Sequence, residues 1–199
     1  MKVVCDESGI KKAVDSIKKG GIVVFPTDTV YGIGCDPFNE KSVEEIYNIK
    51  KRDIKKRFPI LAHTKSDLEK IVKFDLNSNK IAEKFWPGKV TLIVEVTDEK
   101  IKKSLGADKK IGVRVPDNIC IQKILGVVRM LIGTSANISG DPSFTDPVNY
   151  PERLIGVDVF VDGGRIESRG ESTILECDGN NVIIHREGSV TKEEIMRVL

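Results

Sequence analysis

The sequence predicts an α/β fold in which a twisted, mixed β-sheet is flanked by helices. Short apolar runs rich in β-branched residues recur along the chain, and amphipathic helical patterns lie between them. Helices interleaved with strands are typical of a sheet covered by helices. Two of the runs are separated only by DGNN (178–181), a turn sequence, so the sheet is expected to include an antiparallel hairpin.

Seven segments are predicted as strands, because each is rich in aliphatic residues and is bounded by Gly, Pro, Asn or Asp. In chain order they are GIVVF (21–25), VTLIVEV (90–96), IGVRV (111–115), RMLIG (129–133), VDVFVDG (157–163), STILEC (172–177) and NVIIHR (181–186). The 199 residues contain no internal repeat and no linker, so a single domain over residues 1–199 is expected.

Five segments are predicted as helices. The first, SGIKKAVDSIKKG (8–20), repeats apolar residues along one face and ends at Gly20. The second, KSVEEIYNIKKR (41–52), has Ser42 and Glu45 spaced as in a capping box at its start. The others are SDLEKIVKF (66–74), SNKIAEKFW (78–86) and TKEEIMRVL (191–199).

The composition is that of a soluble globular protein, with 40% hydrophobic and 31% charged residues. The formal net charge is only +2, so any binding of anions must depend on local clusters of cations. The sequence shows no signal-peptide pattern and no CxxC spacing, so we expect a cytoplasmic protein with reduced thiols and no zinc site. Its four cysteines are Cys5, Cys35, Cys120 and Cys177.

The stretch FPTDTVYG (25–32) ends a predicted strand in hydroxyl-bearing residues. One interpretation is structural: a turn in which Asp28 makes a local hydrogen bond. The other is that the strand end brings Thr27, Thr29 and Tyr31 to a crevice, where ligands of open α/β sheets bind. Hydroxyls both donate and accept hydrogen bonds, which suits an amino acid.

The stretch IKKRDIKKRF (49–58) holds six basic residues within eight positions. A solvated, charged helix end explains most of them. Lys50 and Arg52 lie two positions apart where the helix ends, however, and together they would suit a polyphosphate.

A third polar cluster, TSANISGDPS (134–143), again follows a predicted strand. It is either a plain Ser/Asn loop or a set of backbone N–H groups that approach an anion. The phosphate-binding patterns GxxxxGK[ST] and GxGxxG are absent. Arg114 stands between two valines of a strand, where a cation is costly to bury unless an anion meets it.

Taken together, FPTDTVYGIGCD, Lys50-x-Arg52, PILAH, FWPGKVTLIVEV, GVRVPDN, TSANISGDPS, STI and REGSV resemble the YrdC-like family of threonylcarbamoyl-AMP synthases. The similarity runs from about Gly20 to Val190, and the chain is similar to the short form without an additional C-terminal domain. The resemblance implies a large concave, positively charged pocket. It also implies that L-threonine, bicarbonate and ATP, carrying Mg²⁺, form threonylcarbamoyl-AMP and pyrophosphate. A tRNA threonylcarbamoyl transferase complex would then use the product to make threonylcarbamoyladenosine, and contact between this chain and tRNA is not required.

The resemblance further implies roles for single residues, with no protein ligand to a metal. The expected ATP-binding residues are Lys50, Arg52, Ser135, Asn137, Ser143 and Arg186. Lys50 and Arg52 would also act catalytically through their charge. The expected threonine-binding residues are Thr27, Tyr31, His63, Arg114 and Ser172. Family members usually have a proline soon after the arginine of the KxR pair. Here a longer basic insert follows, which leaves the roles of Lys55, Lys56 and Arg57 open.

Two alternatives remain from the sequence. One is a non-catalytic RNA-binding module of the same fold that uses residues 50–57, although the chain has few aromatic residues for base stacking. The other is a carbamoyl-transferring module like the YrdC-like domain of hydrogenase maturation enzymes, whose zinc-finger and acylphosphatase parts are absent here.

Overall fold

The computed structural model describes residues 1–151, 154–179 and 181–199. The strands are β1 (Lys2–Val4), β2 (Val23–Pro26), β3 (Tyr31–Gly34), β4 (Ile60–Ala62), β5 (Val72–Lys73), β6 (Val90–Val96), β7 (Lys110–Arg114), β8 (Met130–Ile132), β9 (Thr134–Ser135), β10 (Val159–Asp162), β11 (Thr173–Asp178) and β12 (Asn181–Arg186). The helices are α1 (Glu7–Lys18), α2 (Glu40–Lys50), α3 (Lys65–Leu68), α4 (Leu76–Phe85), α5 (Glu99–Leu105), α6 (Ile119–Val128) and α7 (Lys192–Met196), with a 3₁₀ turn at Pro147–Asn149.

The strands form two sheets rather than the one that the sequence predicts. The first has the order β1-β10-β2-β3-β9: β1, β10 and β2 run parallel to one another, and β3 is antiparallel to both of its neighbours, β2 and β9. The second has the order β12-β11-β6-β7-β4-β8, with β5 paired to β6. It combines the parallel pairs β11/β6 and β4/β7 with antiparallel ones. The mixed character is therefore confirmed for both sheets.

The chain passes directly from the second sheet to the first at Gly133, between β8 and β9. A Cβ at this position would meet Leu61 side-chain atoms at 2.3 Å, so only glycine fits. Just before it, the amide of Ile132 donates to the carbonyl of Cys35, 2.9 Å away, which ties β8 to the end of β3. The two sheets therefore meet where strands β3, β8 and β9 end.

Two hydrophobic clusters fill the interior. The larger lies among β3, α2 and the second sheet and includes Ile33, Ile46, Leu92 and Val113. The smaller packs α1 and α6 on the outer face of the first sheet. Full burial of each large aliphatic side chain contributes about 1.5–3 kcal/mol before entropy costs, so these clusters dominate the stability of the fold.

All seven predicted strands and four of the five helices are confirmed, with ends shifted by a few residues. The predicted helix at 66–74 is wrong beyond α3, because Ile71 and Val72 are buried where β5 pairs with β6. The capping box of α2 is also wrong: Asn39 caps the helix and accepts from the amide of Ser42, whose hydroxyl donates to the carbonyl of Gly20. Asn180 of the predicted turn lies outside the described residues, but the antiparallel pairing of β11 and β12 confirms the hairpin.

Cys5 and Cys120 form a disulfide across 115 residues of sequence, so the expectation of reduced thiols is wrong for this pair. The bond joins the loop after β1 to the start of α6, two segments that only the packing of α1 against α6 brings together. Cys35 and Cys177 are free and buried. None of the helices in the described ranges has the length and apolar character that a membrane crossing requires.

Candidate active site

A cleft opens where strand ends of the two sheets meet. Its walls come from the turn after β2, the loop after α2, the ends of β7 and β12, the β8–β9 crossing and the residues just before β11. The lining residues are Thr27, Thr29, Gly32, Arg52, Pro59, Leu61, Thr91, Arg114, Gly133, Thr134, Ser135, Glu171, Ser172, Ile174 and Arg186. Three are arginines and one is a carboxylate, so positive charge prevails among these side chains.

Lys50, the last residue of α2, connects this helix to the loop after β9. Its ammonium group donates to the carbonyl oxygens of Ser135 (2.5 Å) and Asn137 (2.7 Å) and to Oδ1 of Asn137 (3.1 Å). The side chain is only 1% exposed, and burial, with a smaller effect of Arg52, lowers the pKa of Lys50 to about 8. Lys50 therefore lies behind the cleft wall and holds Ser135 in place.

The loop after β9 is shaped by its own side chains as well. The Ser135 hydroxyl donates to Oδ1 of Asn137 (2.7 Å), and Nδ2 of Asn137 donates to the carbonyl of Asp141 (2.5 Å). The amide of Ala136 donates to the carbonyl of Tyr31 (2.9 Å), which joins the loop to β3. Ser135 lines the cleft, whereas Asn137 is buried just beneath it.

Arg52 is held at the cleft mouth by its Nε, which donates to the carbonyl of Lys56 (2.8 Å), and by stacking over Phe58 at 5.2 Å from the ring centre. Burial lowers the pKa of Arg52, and the nearby charge of Arg186 acts in the same direction. Two like charges that face one cleft repel each other, and an anion bound between them would offset this repulsion.

Arg114 is the most enclosed of the three arginines, at 5% exposure. Its Nε donates to the carbonyl of Gly88 (2.8 Å), Nη1 to the hydroxyl of Thr29 (3.1 Å) and Nη2 to Oδ1 of Asp28 (2.5 Å). Burial lowers the pKa of Arg114, and the charge of Asp28 opposes this effect. The guanidinium thus sits at the cleft floor in a single, well-defined orientation.

Arg186 and Ser172 form the opposite wall. Arg186 donates from Nε and Nη2 to the carbonyl of Ser172 (3.1 and 2.9 Å) and forms an ion pair with Glu171. The hydroxyls of Ser172 and Thr91 are hydrogen bonded to each other at 2.9 Å. This wall therefore offers both a cation and paired hydroxyl groups to a ligand.

Five expected site residues lie outside the cleft lining: Lys50 and Asn137, described above, and Tyr31, His63 and Ser143. The Tyr31 hydroxyl donates to the carbonyl of Gly164 (2.7 Å) and accepts from the amide of Gly163 (3.1 Å), at the base of the 163–171 loop. Burial raises the pKa of Tyr31 to about 12. His63 follows β4, and its buried Nδ1 has no hydrogen-bond partner among the described residues. Ser143 is half-buried, next to Phe144, whose carbonyl accepts from the amide of Tyr31.

The basic insert after Arg52 does not contribute to the cleft lining. Lys55 and Lys56 are exposed, and Nη1 of Arg57 donates to the carbonyl of Ile54 (2.5 Å). The insert folds on itself through Asp53, which accepts from the amide of Lys55 (2.9 Å). Most of the basic stretch is therefore solvated surface, which was one of the two interpretations of its sequence.

Two polar lining residues, Thr91 and Glu171, were not singled out from the sequence. Thr91 is the second residue of the run VTLIVEV, and which face of the strand it occupies depends on the pairing of β6 with β7 and β11. Glu171 ends the loop before β11. No pattern in the sequence indicates that it forms an ion pair with Arg186.

Comparisons with known proteins establish the family of the chain. The sequence model of the Sua5/YciO/YrdC family, which carries the description telomere recombination, matches residues 15–188. The chain belongs to this family. A Methanocaldococcus jannaschii relative is 36% identical over 203 residues, which cover 96% of this chain and 93% of the relative. A Pyrococcus abyssi relative named threonylcarbamoyl-AMP synthase is 31% identical over 98% of this chain, which spans 58% of the relative's length.

Solved structures of the Sua5/YciO/YrdC family share the fold. P. abyssi Sua5 complexed with L-threonine superposes with a TM-score of 0.93 at 29% identity, and the match covers 100% of this chain and 61% of that one. E. coli YciO gives a TM-score of 0.87 at 25% identity and covers 98% of both chains. The predicted family and the α/β class are thereby confirmed.

Proposed function

We propose that the protein is an L-threonylcarbamoyladenylate synthase, which forms threonylcarbamoyl-AMP and pyrophosphate from L-threonine, bicarbonate and ATP. The observation that carries this proposal is the convergence of Arg52, Arg114, Ser135, Ser172 and Arg186 on one cleft, although they are distant in sequence. Family membership, relatives that bear the synthase name and the threonine complex of P. abyssi Sua5 support it.

The ATP phosphates would bind between Arg52 and Arg186, with the Ser135 loop as a third contact. Both guanidiniums lie at the cleft, and an arginine fork matches phosphate oxygens well. Lys50 and Asn137 would act from behind, because they shape the loop that carries Ser135. Ser143 stays a prediction for the ATP side.

Threonine would bind at the cleft floor, with its carboxylate on Arg114. Thr27, which lines the same floor, and the paired hydroxyls of Ser172 and Thr91 offer hydrogen-bond partners to the substrate hydroxyl. A site built to hydrogen bond a hydroxyl rejects analogues that lack it. Tyr31 and His63 stay predictions for this side. Tyr31, which is hydrogen bonded to Gly163 and Gly164, would act through the 163–171 loop.

The chemistry needs charge stabilisation more than covalent catalysis. The threonine amine attacks the carbon of bicarbonate, which loses water to give a carbamate. A carbamate oxygen then attacks the α-phosphorus of ATP, and pyrophosphate leaves with the electron pair of the broken P–O bond. Negative charge concentrates on the reacting phosphates, where Arg52 and Arg186 would stabilise it. We assign no residue as the base for the amine.

Mg²⁺ would arrive bound to ATP. The described residues contain no cluster of carboxylates, histidines and cysteines that could hold a metal ion. Glu171, the carboxylate of the cleft, is paired with Arg186, so water and phosphate oxygens suit the ion better. We further propose a cytoplasmic location and a tRNA threonylcarbamoyl transferase complex as the partner that consumes the product.

The decisive assay measures pyrophosphate release from ATP with threonine and bicarbonate each added or withheld. We expect release only when both are present, together with an AMP adduct that contains the threonylcarbamoyl group. Turnover that ignores threonine would reject the synthase. Absence of turnover combined with RNA binding that weakens steeply as salt rises would favour the RNA-binding module.

A further inference from the structure

Asp28 forms a buried ion pair with Arg114 at the cleft floor. Oδ1 lies 2.5 Å from Nη2 of Arg114, and the two side chains are 8% and 6% exposed. The other oxygen, Oδ2, is buried and has no hydrogen-bond partner among the described residues. Such a pair is weak evidence for stability, because the desolvation of both ions offsets their attraction. Stability alone therefore does not explain why a carboxylate lies here.

The hydrogen bonds of Arg114 show what the carboxylate can do. A guanidinium has five N–H groups, and three are used by Gly88, Thr29 and Asp28. The two N–H groups that have no acceptor among the described residues belong to Nη1 and Nη2, one on each. These terminal nitrogens are the ones with which arginine holds a carboxylate through two parallel hydrogen bonds.

We propose that Asp28 is a positioning residue: it fixes the Arg114 guanidinium so that its two unused N–H groups face the carboxylate of the amino-acid substrate. The inference rests on the proposed function, since it takes Arg114 as the partner of that carboxylate. Of the three acceptors on Arg114, Asp28 alone carries a charge. It therefore contributes the strongest restraint on the orientation of the side chain.

The restraint matters because the proposed cleft receives two kinds of anion. Arg52 and Arg186 line the same cleft as Arg114, and Arg186 is close enough to influence the charge of Arg114. A mobile Arg114 would be drawn toward a triphosphate, which carries more charge than one carboxylate. Asp28 keeps Arg114 at the floor, so that ATP and the amino acid bind independently.

Two substitutions of Asp28 separate the effect of its hydrogen bond to Arg114 from the effect of its charge. Asp28→Asn keeps an oxygen that can accept from Nη2, so the guanidinium stays oriented. Its charge is then unbalanced and attracts a substrate carboxylate at least as well. Asp28→Ala removes the acceptor. We expect Asp28→Ala to raise KM for threonine about tenfold, while KM for ATP at low threonine does not rise, because a freed Arg114 can only add to the binding of ATP. We expect Asp28→Asn to keep KM for threonine within about twofold of the parent or below it.

The test measures KM for threonine at several ATP concentrations in the parent protein and both variants, with folding checked by circular dichroism. A rise in KM for threonine that grows with ATP in Asp28→Ala and is absent in Asp28→Asn supports the proposal. An unchanged KM for threonine in Asp28→Ala, equal rises for both substrates, or failure of Asp28→Asn to restore KM would overturn it. If Asp28→Ala does not fold, Asp28→Ser, which keeps a small polar side chain but removes the carboxylate, must show the same split between substrates.

A parent protein without threonine-dependent turnover would instead reject the proposed function. The restraint on Arg114 can then be read without any substrate, from the ¹⁵N–¹H signals of its guanidinium. Separate terminal N–H signals in the parent protein that average in Asp28→Ala show a held side chain. The same averaged signal in both proteins contradicts it.

Discussion

Nζ of Lys50 lies 2.7 Å from the carbonyl oxygen of Asn137, 87 positions further along the chain. Lys50 ends α2, and Asn137 follows β9, so this bond joins the two motifs that sequence reasoning assigned to ATP. The lysine is buried against carbonyl oxygens rather than extended into the cleft. In the proposed ATP site, its charge would therefore act on a phosphate through a short layer of protein and through the shape of the Ser135 loop.

The affinity for ATP should fall as the pH rises through the pKa of Lys50, about 8. Below this pH the ammonium is charged and favours a polyanion; above it the charge is lost. KM for ATP is expected to rise above pH 8, by at most about tenfold per pH unit. Steady-state kinetics from pH 6.5 to 9.5 measure it. In Lys50→Arg, whose guanidinium stays charged, the rise should disappear; an identical rise in that variant would assign the titration to another group.

Arg52 and Arg114 should affect different substrates. Arg52→Ala removes a guanidinium from the proposed phosphate site, and KM for ATP should rise by roughly ten- to a hundredfold. Arg114→Lys keeps the charge but loses the fork, so KM for threonine should rise about tenfold or more. Steady-state kinetics with each substrate varied in turn measures both KM values, and calorimetry measures the corresponding dissociation constants.

The exposed Lys55 supplies the matched control, since Lys55→Ala removes a neighbouring cation that does not line the cleft. This variant should bind both ligands like the parent protein. Equal effects of Arg52→Ala and Arg114→Lys on the two ligands would contradict the proposed positions of ATP and threonine in the cleft.

The sequence predicted the fold class and much of the cleft because both follow from local patterns. Apolar runs marked the strands, and hydroxyls at strand ends marked Thr27 and Ser135. Their convergence followed from the family resemblance and not from the spacing of the residues. The division into two sheets was missed, because it depends on which distant strands pair with each other, and no periodic pattern signals that pairing.

The partners of the charged residues were equally hidden from the sequence. Asp28 was interpreted as a turn former, and its ion pair with Arg114 arises only when the turn after β2 meets the end of β7. Ile71 and Val72 fit a helical repeat, but burial beside β6 overrides that local preference. Such pairings depend on tertiary contacts between distant segments.

The disulfide should stabilise the fold by a few kcal/mol. A cross-link across 115 residues restricts the unfolded chain, so reduction is expected to cost about 2–4 kcal/mol and to lower Tm by roughly 4 to 16 °C. In the denatured, unreduced chain only Cys35 and Cys177 should react with a thiol reagent. Four reactive thiols before reduction, or a Tm that reductant leaves unchanged, would contradict the bond.

Tyr31 should control the order of the 163–171 loop. Tyr31→Phe deletes the hydroxyl that bonds Gly163 and Gly164, at a cost of about 1–3 kcal/mol locally. Hydrogen exchange in this loop should become roughly tenfold faster or more, while exchange in β6 stays the same. Unchanged exchange in the loop would show that other contacts hold it.

The most direct measurement is a crystal structure of the protein with L-threonine and a non-hydrolysable ATP analogue. The account predicts the threonine carboxylate within about 3 Å of the terminal nitrogens of Arg114 and the phosphates at the same distance from Arg52 and Arg186. Ligands bound outside this cleft, or phosphates seated on Arg114, would contradict it.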